Sequence, residues 1–141
     1  MTDAAVAEAA PQATPENETA IRACVRSFYD AARKDDLLAP VFDSVIKDWD
    51  GHLTMMDDFW SAALLGTERY KRAPFPPHLK LDMGQHHFDR WNELWGTAAR
   101  ASMPGVLGER AANMGASMAH CWGRGFVQMK DQMRKAQAAA Q

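Results

Sequence analysis

One of the five histidines in the sequence, His78, directly follows two consecutive prolines, Pro76 and Pro77. Each proline fixes its own backbone φ angle and removes an amide donor, so the chain enters His78 in a restricted direction. A histidine that binds a metal benefits from such rigidity, because its imidazole must be held at a fixed distance and angle. The alternative is an ordinary loop histidine after a proline turn, and taken alone His78 favours that alternative.

Three other residues could form hydrogen bonds to a small ligand. His52 lies on the apolar stripe of a predicted helix, Tyr29 offers a hydroxyl group and Trp91 offers an indole N–H. Each also has a structural interpretation, because a lone histidine on an apolar stripe is usually a hydrogen-bonded core residue, and aromatic residues on apolar faces usually pack. Residue type alone therefore favours core packing for all three.

The remaining histidines do not form a metal-binding motif. No pair has the spacing that places two ligands on one helical face, as in His-Glu-x-x-His. His86 and His87 are adjacent and favour solvent exposure near a helix start, while His120 favours a half-buried position among apolar neighbours. A metal site built from these side chains alone is accordingly a weak hypothesis.

The elements that must position these residues are helices. Apolar residues recur at helical spacing in four segments, and no segment has the alternation typical of a strand. The predicted all-α chain has its four helical stripes over residues 21–32, 49–64, 88–98 and 107–126.

Glycine, proline and capping residues predict where these helices begin and end. Gly66 is well placed to end the second helix, and Asp82 with Gln85 predicts the cap of the third. Pro40 predicts a break in the chain before Phe42.

Length and composition predict one domain with two tails. The chain has 141 residues, enough for a single hydrophobic core. We expect residues 1–17, rich in Ala, Pro, Glu and Thr, to be a disordered tail. Residues 18–131 are the predicted domain, and residues 132–141 a frayed C-terminal tail.

Charge and cysteine content argue against several classes of partner. The formal net charge is −2 and the pI is about 6.2, which gives no basic field for nucleic acid. No apolar run reaches the length of about 20 residues that a membrane span needs. Cys24 and Cys121 are distant in sequence and predict buried, unpaired thiols, so we expect a cytoplasmic protein.

The order and spacing of several motifs resemble those of the group III truncated haemoglobins, a bacterial branch of the globin superfamily. The resemblance covers roughly residues 19–130. The motifs that carry it are Ser27-Phe28-Tyr29, Leu38-Ala39-Pro40-Val41-Phe42, Trp49-x-x-His52, Phe59-Trp60, Leu64-Leu65-Gly66, His78-Leu79 and Phe88-x-x-Trp91. This resemblance implies a shortened, globin-like helical sandwich around a haem.

The resemblance also implies roles for particular residues. His78 would be the proximal ligand of the iron in haem b, and Tyr29, His52 and Trp91 would lie on the distal, ligand-binding side. The other residues implied to contact the cofactor or wall its pocket are Phe42, Met56, Phe59 and Trp60. Arg72 could pair with a haem propionate, although a solvated basic cluster with Lys71 is an equal alternative.

The implied function is binding of O2, CO, NO or another small haem ligand, with slow release of O2. Nitric oxide dioxygenase or peroxidase-like activity is a further hypothesis, and it would require an electron donor that the sequence does not identify. The alternative from another class is a cofactor-free helical interaction domain whose Trp and Met stripes only pack. The sequence leaves the oligomeric state open.

Overall fold

The structure is a computed structural model that describes residues 11–70, 83–103 and 105–140. The helices are α1 (Pro15–Ala32), α2 (Ala39–Val45), α3 (Trp49–Leu65), α4 (Gln85–Ser102) and α5 (Val106–Ala140). The described ranges contain no strand, so the predicted all-α class is confirmed. Within these ranges, no helix is both long and apolar enough to cross a membrane.

Helix α1 begins at Pro15, three residues before the predicted domain boundary. The side chain of Thr14 accepts a hydrogen bond from the backbone N–H of Asn17 at 3.1 Å, and Pro15 occupies the first helical position, where no amide donor is needed. The buried face of α1 consists of Ile21, Cys24, Val25, Phe28, Tyr29 and Ala32.

Helix α2 corrects the prediction that Pro40 breaks the chain. The proline lies in the first turn of α2, where its missing N–H removes no helical hydrogen bond. Phe42 is therefore on a short helix rather than in a bend, and its side chain is half-buried against the core.

Helix α3 begins and ends as its sequence predicts. Asp48 accepts a hydrogen bond from the backbone N–H of Gly51 at 3.1 Å and caps the first turn. Gly66 has a φ of 75°, a left-handed conformation that glycine adopts at no steric cost, and its N–H bonds to the carbonyl of Ala62.

The cap of α4 differs from the predicted pair of Asp82 and Gln85. The N-cap residue is Gly84, whose backbone N–H donates to Nδ1 of His87 at 2.9 Å. His87 is half-buried as a result of this role, whereas the adjacent His86 is exposed as predicted. Asp82 lies outside the described residues.

The core forms where α4 packs against α5 and α1. Trp95 is 1% exposed at its centre, and its ring stacks on Trp60 of α3 at a centroid distance of 4.1 Å. Its indole N–H donates to the carbonyl of Ala111 at 3.0 Å, so the one polar atom of the side chain is satisfied. A Cβ on Gly115 would lie 2.3 Å from the Trp95 ring, so α5 can approach here because this residue is glycine.

Two sequence expectations about α5 are wrong. Cys121 and His120 are both exposed, because they lie on the outer face of α5. Cys24 is buried as predicted, and desolvation raises the pKa of its thiol to about 12. Both cysteines are free thiols, which agrees with the expectation of no disulfide.

Candidate functional site

Tyr29 of α1 and His52 of α3 are joined by a hydrogen bond. The distance from the hydroxyl oxygen of Tyr29 to Nε2 of His52 is 2.8 Å. Tyr29 is 8% exposed, and burial raises the pKa of its hydroxyl, so this group stays protonated and neutral. The histidine tautomer decides which of the two groups donates.

This pair is surrounded by aromatic rings. Tyr29 makes edge-on contacts with Phe28 at 4.8 Å, with Phe42 at 5.4 Å and with Trp49 at 5.6 Å, measured between ring centroids. Trp49 also contacts His52 edge-on at 5.9 Å. The two polar groups therefore lie in a largely apolar environment, where their mutual hydrogen bond compensates for lost contact with water.

Trp91 reaches the same region from α4. Its ring is half-buried, stacks on Trp95 at 5.9 Å and contacts Phe28 edge-on at 5.6 Å. Phe28 also contacts Tyr29, which is hydrogen-bonded to His52, so the three sequence-predicted distal residues are linked through Phe28 and Tyr29. The structure thus brings side chains from α1, α3 and α4 to a single region.

The other predicted contact residues differ in their burial. Met56 and Phe59 of α3 are half-buried and pack against the core cluster. Trp60 is 3% exposed and stacked on Trp95, so it contributes to the closed core. His78 and Arg72 lie outside the described residues.

The half-buried residues provide a test of whether this region suits a haem. Five large apolar side chains from α2, α3 and α4 are only partly covered by protein, namely Phe42, Trp49, Met56, Phe59 and Trp91. A flat, largely apolar macrocycle is the kind of group that such a surface can cover. The Tyr29 and His52 pair provides hydrogen-bonding groups beside it. The residues present therefore fit the cofactor.

A contact at the outer edge of this region was not predicted. The guanidinium carbon of Arg33 lies 4.1 Å from the ring centroid of Trp49. Arg33 follows Tyr29 by four residues, which is the spacing that places two side chains on the same helical side. That spacing places Arg33 on the side of the helix that carries Tyr29, while its contact with Trp49 also depends on where α3 begins.

Comparisons with known proteins show what the chain is similar to. The chain is 32% identical over 84 residues to the group 3 truncated haemoglobin Ctb of Campylobacter jejuni, a match that covers 56% of this chain and 66% of that protein. The chain is a relative of the group III truncated haemoglobins. No family model matches the chain.

The structural comparison supports the same fold. The crystal structure of a group III truncated haemoglobin from Campylobacter jejuni superposes on the chain with a TM-score of 0.72. The superposition covers 77% of this chain and 90% of the other, at 24% sequence identity. The predicted shortened globin fold is confirmed, and relationship to this family implies a haem cofactor in general terms.

The described residues of the protein offer no competing metal site. No group of three or more His, Cys, Asp or Glu side chains within residues 11–70, 83–103 and 105–140 is arranged to hold a metal ion. The hydrogen-bonded pair of Tyr29 and His52, with Trp91 linked to it through Phe28, is accordingly the candidate functional site.

Proposed function

We propose that this truncated globin binds haem b through His78 and holds a diatomic ligand, such as O2, CO or NO, beside Tyr29, His52 and Trp91. The observation that carries the proposal is the hydrogen-bonded pair of Tyr29 and His52, which lies against partly covered aromatic side chains. The family relationship supports the haem, and the residue roles follow from the motif positions.

Bound haem would supply an iron that binds a small ligand, and the neutral imidazole of His78 would hold that iron. The protein contributes hydrogen-bond donors on the ligand side. The hydroxyl of Tyr29 is protonated and is held in a dry site, where a donor stabilises partial negative charge more strongly than in water.

His52 determines the direction in which Tyr29 donates. When Nε2 of His52 carries a hydrogen atom, it donates to the oxygen of Tyr29, and the hydroxyl hydrogen can point to another acceptor. When Nε2 carries none, it accepts the hydroxyl hydrogen. The first arrangement provides a donor for a ligand, and the indole N–H of Trp91 provides a second one.

These donors predict slow release of O2. A hydrogen bond to a partner that carries charge contributes about 1.5–3 kcal/mol, which corresponds to release that is about one to two orders of magnitude slower for each donor. Such retention suits chemistry on the held ligand better than oxygen delivery.

Nitric oxide dioxygenation is one reaction that retained O2 could support. In that reaction one NO, one O2 and one electron give one nitrate ion, so an external electron donor would be required. Polarisation of a peroxide O–O bond by the same donors is the alternative. Both activities belong to this proposal rather than to the family relationship.

We also propose that residues 18–131 are the haem-binding unit and that the protein acts in the cytoplasm. The free thiols Cys24 and Cys121 support a reducing compartment, because secreted domains generally pair their cysteines.

Absorption spectra of the purified protein test the proposal. We would record them in the ferric state and after reduction under carbon monoxide, for the wild type and for His78→Gly. An intense Soret band with a histidine-type carbonyl spectrum that is lost or altered in His78→Gly would support both the haem and its ligand. The matched control is His86→Gly, which removes an exposed histidine and should leave the spectra unchanged.

Two other results would reject the proposal. Absence of a Soret band even after addition of haemin would favour the cofactor-free interaction domain. A metal that copurifies without a porphyrin spectrum would favour the non-haem metal site.

A further inference from the structure

Trp49 occupies the outer side of the hydrogen-bonded pair. It is the first residue of α3, directly after the cap residue Asp48, and its half-buried ring contacts both members of the pair. The rings of Trp49 and Tyr29 meet at 69°, and those of Trp49 and His52 at 85°. A displacement of Trp49 would therefore loosen both members at once.

Arg33 covers Trp49 from the solvent side. Its guanidinium carbon is 4.1 Å from the centroid of the tryptophan ring, within the range of a cation–π interaction. The backbone N–H of Arg33 donates to the carbonyl of Tyr29 at 2.9 Å, so the base of this side chain is fixed to the same turn that carries the hydroxyl group. Arg33, Trp49 and the pair thus form three successive layers from solvent to site.

We propose that Arg33 and Trp49 form an outer clamp that holds His52 against Tyr29 and limits the exchange of small ligands at the site. Both are positioning residues, since they act through Tyr29 and His52. The role in ligand exchange rests on the proposed function, whereas the contact of the clamp with the pair does not.

The clamp has a kinetic signature that differs from that of a hydrogen-bond donor. A donor to the ligand mainly slows dissociation, because its bond exists only in the bound state. A clamp that covers the site slows entry and escape alike. Weakening the clamp should consequently raise both rates and leave their ratio nearly unchanged.

Removing the charge of Arg33 tests the contact itself. Arg33→Met keeps an unbranched side chain but abolishes the cation–π interaction, and Arg33 is exposed, so the fold should tolerate the change. The matched control is Arg22→Met on the same helix, where an exposed guanidinium group bonds to Thr19 instead of a ring. In NMR spectra of the full chain as purified, Arg33→Met should shift or broaden the ring ¹⁵N signals of His52 and accelerate exchange of the Tyr29 hydroxyl proton. Arg22→Met should change neither signal.

Ligand kinetics test the consequence of the contact. After laser photolysis of the carbon monoxide form, we expect Arg33→Met to raise the association rate about two- to fivefold, the change that corresponds to an exposed cation–π interaction. The dissociation rate, measured by ligand replacement, should rise by a similar factor. Trp49→Phe, which retains a smaller ring with a weaker attraction for cations, should change both rates in the same direction.

Several outcomes would overturn the inference. His52 and Tyr29 signals that stay those of the wild type in Arg33→Met would show that Arg33 does not hold the pair. Unchanged rates, or an increase in dissociation alone, would exclude a clamp on exchange. If the chain binds no haem, the proposed function fails, whereas the NMR comparison still decides whether Arg33 and Trp49 hold the pair.

Discussion

Two aromatic regions of the protein lie side by side but differ in how far the rest of the chain covers their rings. Around Trp95, the rings are covered by helices, and the indole N–H bonds to the backbone of α5. Around Tyr29, the polar groups bond to each other, and the neighbouring rings of Phe42, Trp49 and Trp91 remain partly uncovered. Phe28 contacts both regions.

This difference distinguishes side chains that only pack from side chains that can also bind a ligand. A side chain whose surface and polar atoms are fully satisfied within the protein contributes to stability and has nothing left for a ligand. A side chain that is packed on one face and not covered by protein on the other can also contact a ligand or cofactor. Trp95 and Trp91 are stacked neighbours on α4, but of the two only Trp91 keeps a partly uncovered ring.

The largest expected effect is loss of stability in Trp95→Ala. The substitution removes the ring at the centre of the core and should lower the free energy of unfolding by about 3–5 kcal/mol. Chemical denaturation measured in one fixed haem and ligand state would give this value. Trp91→Ala, on the same helix but half-buried, should cost less. Equal losses would contradict the distinction between the two regions.

Tyr29→Phe should weaken the retention of the ligand rather than the stability of the fold. The substitution keeps the aromatic contacts and removes the hydroxyl, so the O2 dissociation rate should rise about ten- to a hundredfold. Stopped-flow measurement of O2 release would detect this change. Tyr70→Phe removes the hydroxyl of the other tyrosine, which lies against Phe59, and should leave the rate unaltered. An unchanged rate in Tyr29→Phe would count against the donor role.

Gly115→Ala tests how closely the core region is packed. The added Cβ would lie 2.3 Å from the ring of Trp95, so the ring or α5 must move, at an expected cost of about 1–3 kcal/mol in the free energy of unfolding. Gly96→Ala makes the same change on α4 but meets only the flexible end of Arg100 at 3.1 Å. That control should be neutral or stabilising, because alanine favours a helix over glycine by roughly 1 kcal/mol. Thermal unfolding of both variants would check the contrast.

The sequence predicted the four long helices but not the short one. The stripe that begins at Trp49 and the terminal Gly66 were predicted because periodicity and a left-handed cap are local properties. The short helix α2 was missed because Pro40 was interpreted as a break, although proline is equally suited to a first helical turn. The exposure of Cys121 was missed because an apolar neighbourhood in sequence does not determine which face of a long helix is covered.

The candidate site depended on resemblance more than on periodicity. Helical spacing placed Tyr29, His52 and Trp91 on apolar faces but did not predict that they are linked through Phe28 and Tyr29, since that requires the relative positions of three helices. The resemblance implied only that the three residues lie on the same, ligand-binding side. Arg33 was overlooked because a charged residue near a helix end is usually solvated, and its contact with Trp49 depends on where α3 begins.

The smallest expected effect concerns a polar cluster at the other end of the interface between α1 and α3. The hydroxyl of Ser61, which is fully buried, donates to Glu18, and Arg69 donates to both carboxylate oxygens. Burial alone would raise the pKa of Glu18, but these hydrogen bonds and the charge of Arg69 hold it below its ordinary value of 4.5. This cluster is polar, as the candidate site is, but its hydrogen bonds are made within the protein, as that of Trp95 in the core is.

The depressed pKa predicts the sign of a pH dependence. Glu18 contributes stability that is present above pH 4.5 and is lost as the pH falls through the lower pKa of the folded state. Glu18→Gln should therefore melt at a lower temperature than the wild type at pH 7 and lose less of its stability between pH 5 and pH 3, as thermal unfolding at several pH values would show. Glu16→Gln removes a carboxylate from the same helical turn without the bonds to Ser61 and Arg69. Two results would mean that the hydrogen-bonded cluster does not stabilise this interface. One is that Glu18→Gln loses as much stability as the wild type between pH 5 and pH 3. The other is that Glu18→Gln and Glu16→Gln change the melting temperature equally.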